Sequence, residues 1–257
     1  MALGKLNGVL DTNIGKALSL SSENIGKVAG GSLVLSDSYT KLLLHMDGSN
    51  GSTTFTDEKG KTFSIGSGSP IISTAQGKFN QSAYFNGSSY ITTPYSKDFN
   101  FGAGDFTIDF WVYFTSFNAN GTYVISQMSG DWSACTNNGF LVAAWSDGSF
   151  SCWAGKGSSA SYLATTSGKL SINTWKHIAL VRNETSLKAY AGGDEVASLD
   201  VGSSTYTSNS PLRIGGRAYN SEPTNEWMNG YVDEVRISKG IARWTAAFTP
   251  PTSPYSI

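Results

Sequence analysis

Alternation of apolar and polar residues at period two runs through most of the chain beyond Leu42. Phe106-Thr107-Ile108-Asp109-Phe110-Trp111-Val112-Tyr113-Phe114 shows it most clearly. Phe106, Ile108, Phe110, Val112 and Phe114 make one wholly apolar face, and Thr107, Asp109, Trp111 and Tyr113 make the other. That pattern predicts a strand with one buried face and a half-polar, aromatic opposite face. Trp175-Lys176-His177-Ile178-Ala179-Leu180-Val181-Arg182 is nearly continuous and predicts a central strand. Leu42-Leu43-Leu44-His45-Met46 opens the series and ends at Asp47-Gly48-Ser49-Asn50-Gly51.

Turn residues punctuate the rest. Residues 82–85 and 89–92 flank Asn86-Gly87, a preferred hairpin dipeptide, so a hairpin is expected there. Further hairpins are expected about Ser146-Asp147-Gly148 and about Gly192-Gly193. Residues 212–214 and 231–237 close the series, and a helical turn is expected only at Ile241-Ala242-Arg243-Trp244. On the order of a dozen short strands at this spacing predict an all-β fold, an antiparallel jelly-roll β-sandwich.

In Gly230-Tyr231-Val232-Asp233-Glu234-Val235-Arg236-Ile237-Ser238, strict alternation places Asp233 in a row with Tyr231, Val235 and Ile237. A carboxylate there is costly to bury unless it is paired, hydrogen-bonded or bound to a cation. Backbone N–H acceptance and a structural metal are both open readings.

Composition sharpens the picture. Charged residues are 14% of the chain, against ~25% in ordinary soluble domains, while aromatics reach 12% and glycines number 29. That balance suits many strands joined by tight turns. Net charge is −1 and no basic patch stands out, which disfavours nucleic acid as a partner. No apolar run approaches the ~20 residues of a membrane-spanning helix, so no membrane partner is expected. Met1-Ala2-Leu3-Gly4-Lys5-Leu6-Asn7-Gly8 lacks the plan of a secretion signal. The expected location is the cytoplasm of synthesis, or a route without a signal such as release inside a particle. Cys135 and Cys152 do not face each other in the expected hairpin, so two free thiols are expected.

Residues 1–38 differ from residues 39–257. No aromatic precedes Tyr39, and Asn13-Ile14-Gly15-Lys16-Ala17 recurs as Asn24-Ile25-Gly26-Lys27-Val28. Neither copy carries enough apolar surface for a core. The expectation is an extended N-terminal arm that docks on another subunit, with Asn13, Ile14, Lys16, Asn24, Ile25 and Lys27 as its assembly residues.

Taken in order, Leu42 to Gly48, Ala83-Tyr84-Phe85-Asn86-Gly87 with Tyr90-Ile91, Asp105 to Val112, Trp175 to Arg182, Ile214-Gly215-Gly216 and Gly230 to Ser238 resemble a known domain type. It is the laminin G-like branch of the concanavalin A-like lectin/glucanase superfamily. The ending Arg243-Trp244-Thr245-Ala246-Ala247-Phe248-Thr249-Pro250-Pro251 looks like the variant found in virion proteins of tailed bacteriophages. Members serve as glycan binders, adhesion modules, glucanases and virion surface proteins, so each role needs support from residues here.

Superfamily hydrolases carry two carboxylates on one strand face at Glu-x-Asp-x-Glu spacing, a spacing not found here. Asp233 and Glu234 are adjacent, Asp194 and Glu195 flank a turn, and His45 and His177 sit within apolar strands. A non-enzyme is therefore expected. The resemblance implies a structural Ca2+ at Asp47 and Asp233; the alternative is that Asp47 caps a turn and Asp233 accepts backbone N–H groups. For sugar binding the candidates are Trp132, Trp153, Tyr219 and Trp227, with Asn225 as a polar neighbour; the alternative is that each Trp covers a sandwich edge. The resulting expectation is a phage capsid decoration or cement protein. Its arm would thread between subunits, the major capsid protein would be its partner, and a homotrimer follows by analogy. A receptor-recognition protein binding a cell-surface glycan is the alternative, and a glycoside hydrolase a distant third.

Overall fold

The computed structural model describes residues 37–128, 139–154, 161–217 and 226–256; the proposed arm lies outside them. Ser38–Ile257 forms one compact unit. Among the described residues, fifteen strands build two antiparallel sheets. One sheet runs β13 (Asp194–Asp200), β12 (Ser186–Ala191), β11 (Lys176–Asn183), β6 (Phe106–Ser116), β15 (Asn229–Lys239), β4 (Ser82–Asn86) and β3 (Ile71–Ser73). β1 (Thr40–Leu44) pairs with the second half of β15. The other sheet runs β10 (Ser161–Ala164), β9 (Phe150–Ala154), β8 (Phe140–Ala144), β7 (Thr122–Ser126), β14 (Leu212–Ile214), β5 (Tyr90–Thr93) and β2 (Ser64–Ser67). This is the expected jelly-roll sandwich. Among the described residues no helix is long and apolar enough to cross a membrane.

The apolar face of β6 does what its alternation predicts. Phe106, Ile108, Phe110, Val112 and Phe114 are each at most 1% exposed and share one core with Val142, Phe150, Cys152, Leu212 and Ile214 of the opposite sheet. Full burial of each such side chain contributes about 1.5–3 kcal/mol. β11 is central as expected, between β6 and β12. The Gly192-Gly193 turn is a tight hairpin in which both glycines have positive φ, 62° and 90°. Cys152 is a buried free thiol whose pKa burial pushes up; Cys135 lies outside the described residues.

Three expectations are corrected. Residues on either side of Asn86-Gly87 do not form a hairpin: β4 pairs with β3 and β15, and β5 pairs with β2 and β14. The turn carries the chain from one sheet to the other, so that Phe85 and Ile91 enter the core from opposite sides. Asn86 Oδ1 accepts from Ser88 N at 3.2 Å, and Gly87 N donates to Met228 O at 2.9 Å, holding that arch. Secondly, strict alternation fails in β15. Asp233 pairs with Trp111 and Arg236 with Asp109, three steps against two, so Glu234 is an extra residue with φ of 50°. The bulge leaves Val232, Val235 and Ile237 in the core and moves Tyr231 and Asp233 to the outer face. Thirdly, residues 241–244 are not helical. Their backbone serves β6 instead: Thr107 Oγ1 donates to Ile241 O at 3.1 Å and accepts from Arg243 N at 3.0 Å.

Candidate functional site

The outer face of the eight-stranded sheet divides into a sealed part and an open part. The sealing element is the C-terminal segment, residues 240–256. Trp244 and Phe248 stack at 4.0 Å and pack on Ala179, Val181 and Tyr190. Phe248 N donates to Gly193 O at 3.0 Å, an approach so close that a Cβ on Gly193 would stand 1.9 Å from Phe248 O. Further along, the Tyr255 ring lies 3.7 Å from the Arg236 guanidinium, and Tyr255 N donates to Glu234 Oε2 at 2.8 Å.

Beneath this strap sits a buried polar cluster. Asp109, fully buried, takes a bidentate pair from Arg236, Nε to Oδ1 at 3.1 Å and Nη2 to Oδ2 at 3.0 Å. The Tyr255 hydroxyl donates to Asp109 Oδ2 and lies 3.0 Å from His177 Nε2. Burial alone would raise the Asp109 pKa, but the Arg236 charge and the His177 ring outweigh it and hold the carboxyl well below the usual range. On the same strand, Glu234 Oε1 bonds His45 Nδ1 at 2.7 Å, and that bond raises the His45 pKa despite burial.

A second cover is the loop between β3 and β4. Asp233 Oδ2 accepts from Lys78 N at 3.1 Å and Phe79 N at 3.3 Å, and its Oδ1 accepts from Glu234 N at 2.9 Å. Asp47 accepts from Gln81 N and Asn80 Nδ2, both at 3.0 Å. Burial and the nearby Glu234 push the Asp233 carboxyl up to about 7. Asp233 Oδ2 and both oxygens of Asp47 thus clasp one loop through its N–H donors. For Asp233 this is the arrangement that the alternative to a Ca2+ site describes, a carboxylate accepting backbone N–H groups.

Between these covers an aromatic row remains open. Register aligns Ile71 with Tyr84, Tyr84 with Tyr231, and Tyr231 with Tyr113. Pairing of Lys176 with Val112 brings Trp175 beside Tyr113. Ring centroids are 4.9 Å apart for Tyr84 and Tyr231, 5.8 Å for Tyr231 and Tyr113, and 5.7 Å for Tyr113 and Trp175. All four rings are half-buried. Gly230 lets β15 lie this close, since a Cβ there would stand 2.1 Å from Tyr113 O. Asn86, Ser116 and Asn229 form a polar rim, with Asn229 Nδ2 donating to Ser116 Oγ at 3.1 Å. Aromatic faces bordered by amide and hydroxyl groups can take an amphipathic ring, apolar on its faces and polar at its edge.

The sugar-contact residues expected from sequence fare differently. Trp227 is buried, not exposed: it is 8% accessible and packs edge-on against Tyr90 at 5.5 Å. Met228 N bonding to Gly215 O draws it inward. Trp132, Tyr219 and Asn225 lie outside the described residues, and of Trp153 only the strand backbone is described. Sequence reading missed Tyr84, Tyr231 and Trp175. Each carried a signal, an aromatic at an outward strand position, but their alignment depends on cross-strand register.

A family model described as the concanavalin A-like lectin/glucanases superfamily, laminin G type, matches residues 85–243. The chain belongs to this superfamily. Among solved structures, the lectin-like domain resembles the binding domain of Paraclostridial Mosquitocidal Protein 1, with a TM-score of 0.63 and 18% identity over 80% of this chain and 50% of that one. It also resembles the botulinum neurotoxin serotype G binding domain, with a TM-score of 0.57 and 17% identity over 79% of this chain and 49% of that one. Domain 4 of AbnA, a GH43 extracellular arabinanase from Geobacillus stearothermophilus solved with arabinotriose, gives 0.55 and 17% over 79% and 95%. The chain spans about half the length of the two toxin domains. No curated protein matches its sequence. Identities this low establish the fold of the lectin-like domain and leave its ligand to its own residues.

Proposed function

We propose that this chain is a non-catalytic, glycan-binding lectin-like domain whose contact surface is the row Tyr84, Tyr231, Tyr113 and Trp175. One observation carries the reading: on a face otherwise covered by strap and loop, four rings in register stay half-open beside Asn86, Asn229 and Ser116. The AbnA domain, of similar size, was solved with a bound arabino-oligosaccharide, which supports a carbohydrate ligand for this architecture. A non-catalytic role is supported by the carboxylates of the outer face. Asp109, Asp233 and Glu234 each spend their oxygens on Arg236, backbone N–H groups or His45. A glycan array probed with the wild type and with Tyr84→Ala/Tyr231→Ala tests the proposal. Hits lost at least tenfold by the double variant, about 1.4 kcal/mol, support it; an array at background for the wild type ends it.

A finer reading places the domain on the surface of a bacteriophage virion, as a decoration protein held to the major capsid protein by residues 1–38 in a homotrimer. The repeat of Asn13-Ile14-Gly15-Lys16 at Asn24-Ile25-Gly26-Lys27 supports an assembly arm. Deleting residues 1–38 should abolish particle binding and leave the sandwich folded. A truncated domain that still decorates particles would remove this reading without touching glycan binding.

A further inference from the structure

The charge beside the aromatic row narrows the ligand. Lys78 Nζ stands 3.9 Å over the Trp111 ring and 5.6 Å from the Phe79 ring. Trp111 occupies the next outward row: it pairs with Asp233, as Tyr113 pairs with Tyr231 two residues along. Two residues of strand span about 6.8 Å, so the Trp111 row lies roughly that far along the strands from the tyrosine row.

Among the described residues no carboxylate lies within ion-pair distance of that ammonium. Asp233, the nearest acid by connectivity, spends its oxygens on backbone N–H groups, including that of Lys78 itself. Asp47 is spent on Asn80 and Gln81. The two clasps fix the loop, and the ammonium rests over the Trp111 ring, so little ordering cost remains on binding. An ammonium without a counter-charge, held beside the row, calls for a negatively charged group.

We propose that the aromatic row binds an acidic oligosaccharide, with a sugar ring on Tyr231 and Tyr113 and its carboxylate on the ammonium of Lys78. The inference rests on the glycan reading above and names its ligand class. A sugar carboxylate projects one bond beyond the ring, so a ring seated on the tyrosines brings it to the Trp111 row. Sialic acids and uronic acids share this chemistry.

The test is calorimetric titration of the full chain with 3′-sialyllactose and lactose, and with tetragalacturonate and its methyl-esterified, neutral form. Each pair is run at low and at raised salt. The expected result is that at least one acidic ligand binds tenfold or more tightly than its neutral partner, and which one identifies the source. The preference should shrink to within about threefold in Lys78→Gln, whose fold is checked by thermal melting, and survive in Lys78→Arg. It should weaken with salt, while the neutral ligand does not respond. Tyr84→Ala/Tyr231→Ala should lose both. Equal binding of acidic and neutral partners, unchanged by Lys78→Gln, overturns the inference and leaves the glycan reading standing. No binding of any ligand by the wild type, on the array or here, overturns both.

Discussion

Replacing Arg236 by Met removes the one full positive charge paired with a carboxylate that has no access to water. Asp109 would keep the Tyr255 hydroxyl and the His177 ring but lose both guanidinium bonds, at 3.1 and 3.0 Å. Removing one partner of a buried pair costs about 3–5 kcal/mol, a large share of the ~5–15 kcal/mol that stabilises a domain. Tyr255 would also lose the cation under its ring. The pH dependence separates this mechanism from lost packing. In the wild type the depressed Asp109 contributes stability above its unfolded pKa of ~3.9, and loses it as pH falls through the lower folded value. Without Arg236, burial dominates and the folded pKa moves above ~3.9, so the variant loses stability as pH rises from about 4. The gap between the two proteins should be widest near pH 7 and narrow towards pH 4. Urea unfolding followed by tryptophan fluorescence at several pH values reads it directly. Asp109→Leu/Arg236→Met should recover most of the loss, since an apolar pair needs no counter-charge. A cost below about 1 kcal/mol at pH 7, or one independent of pH, would refute the reasoning.

The strap should loosen in Gly193→Ala, which sets a Cβ against Phe248 O at a residue with φ of 90°; a loss of about 1–3 kcal/mol and faster proteolysis within residues 240–256 are expected. Asp233, raised to about 7, costs the fold stability as pH climbs from ~4 through 7, and the raised His45 loses its contribution as pH passes above its folded value. Asp233→Asn should therefore flatten the fall in stability between pH 5 and 8, and an unchanged slope would show that another group sets it. With N–H donors on both Asp47 and Asp233, excess chelator is expected to leave the melting temperature unchanged; a rise with millimolar Ca2+ would favour the cation site.

Much of the sandwich was legible because burial imposes period two on strands. Phe106 to Phe114 needed nothing more than alternation, and the Gly192-Gly193 hairpin nothing more than two residues able to take positive φ. What failed depended on partners distant in sequence. Asn86-Gly87 reads as a hairpin locally, yet each flanking strand has a better partner in a different sheet. Glu234 hides a bulge that alternation cannot register, and it reverses the face on which Asp233 stands. Residues 241–244 abandon a helical turn because Thr107 takes their backbone groups. The site was less legible still. Tyr84, Tyr113, Trp175 and Tyr231 are scattered over almost 150 positions and meet only through the register of four strands. Solitary tryptophans near loops drew the sequence reading instead, and Trp227 is packed against Tyr90.

The most direct check of the central claim is an NMR titration of the full chain, with its tyrosine and tryptophan rings isotopically labelled, against the strongest array ligand. Ring signals of Tyr84, Tyr113, Tyr231 and Trp175 should shift together and saturate at one dissociation constant, while Trp244 in the strap and Trp145 on the other sheet stay still. Saturating shifts confined to Trp145 or Trp227, with the tyrosine row silent, would place the ligand elsewhere and contradict the account.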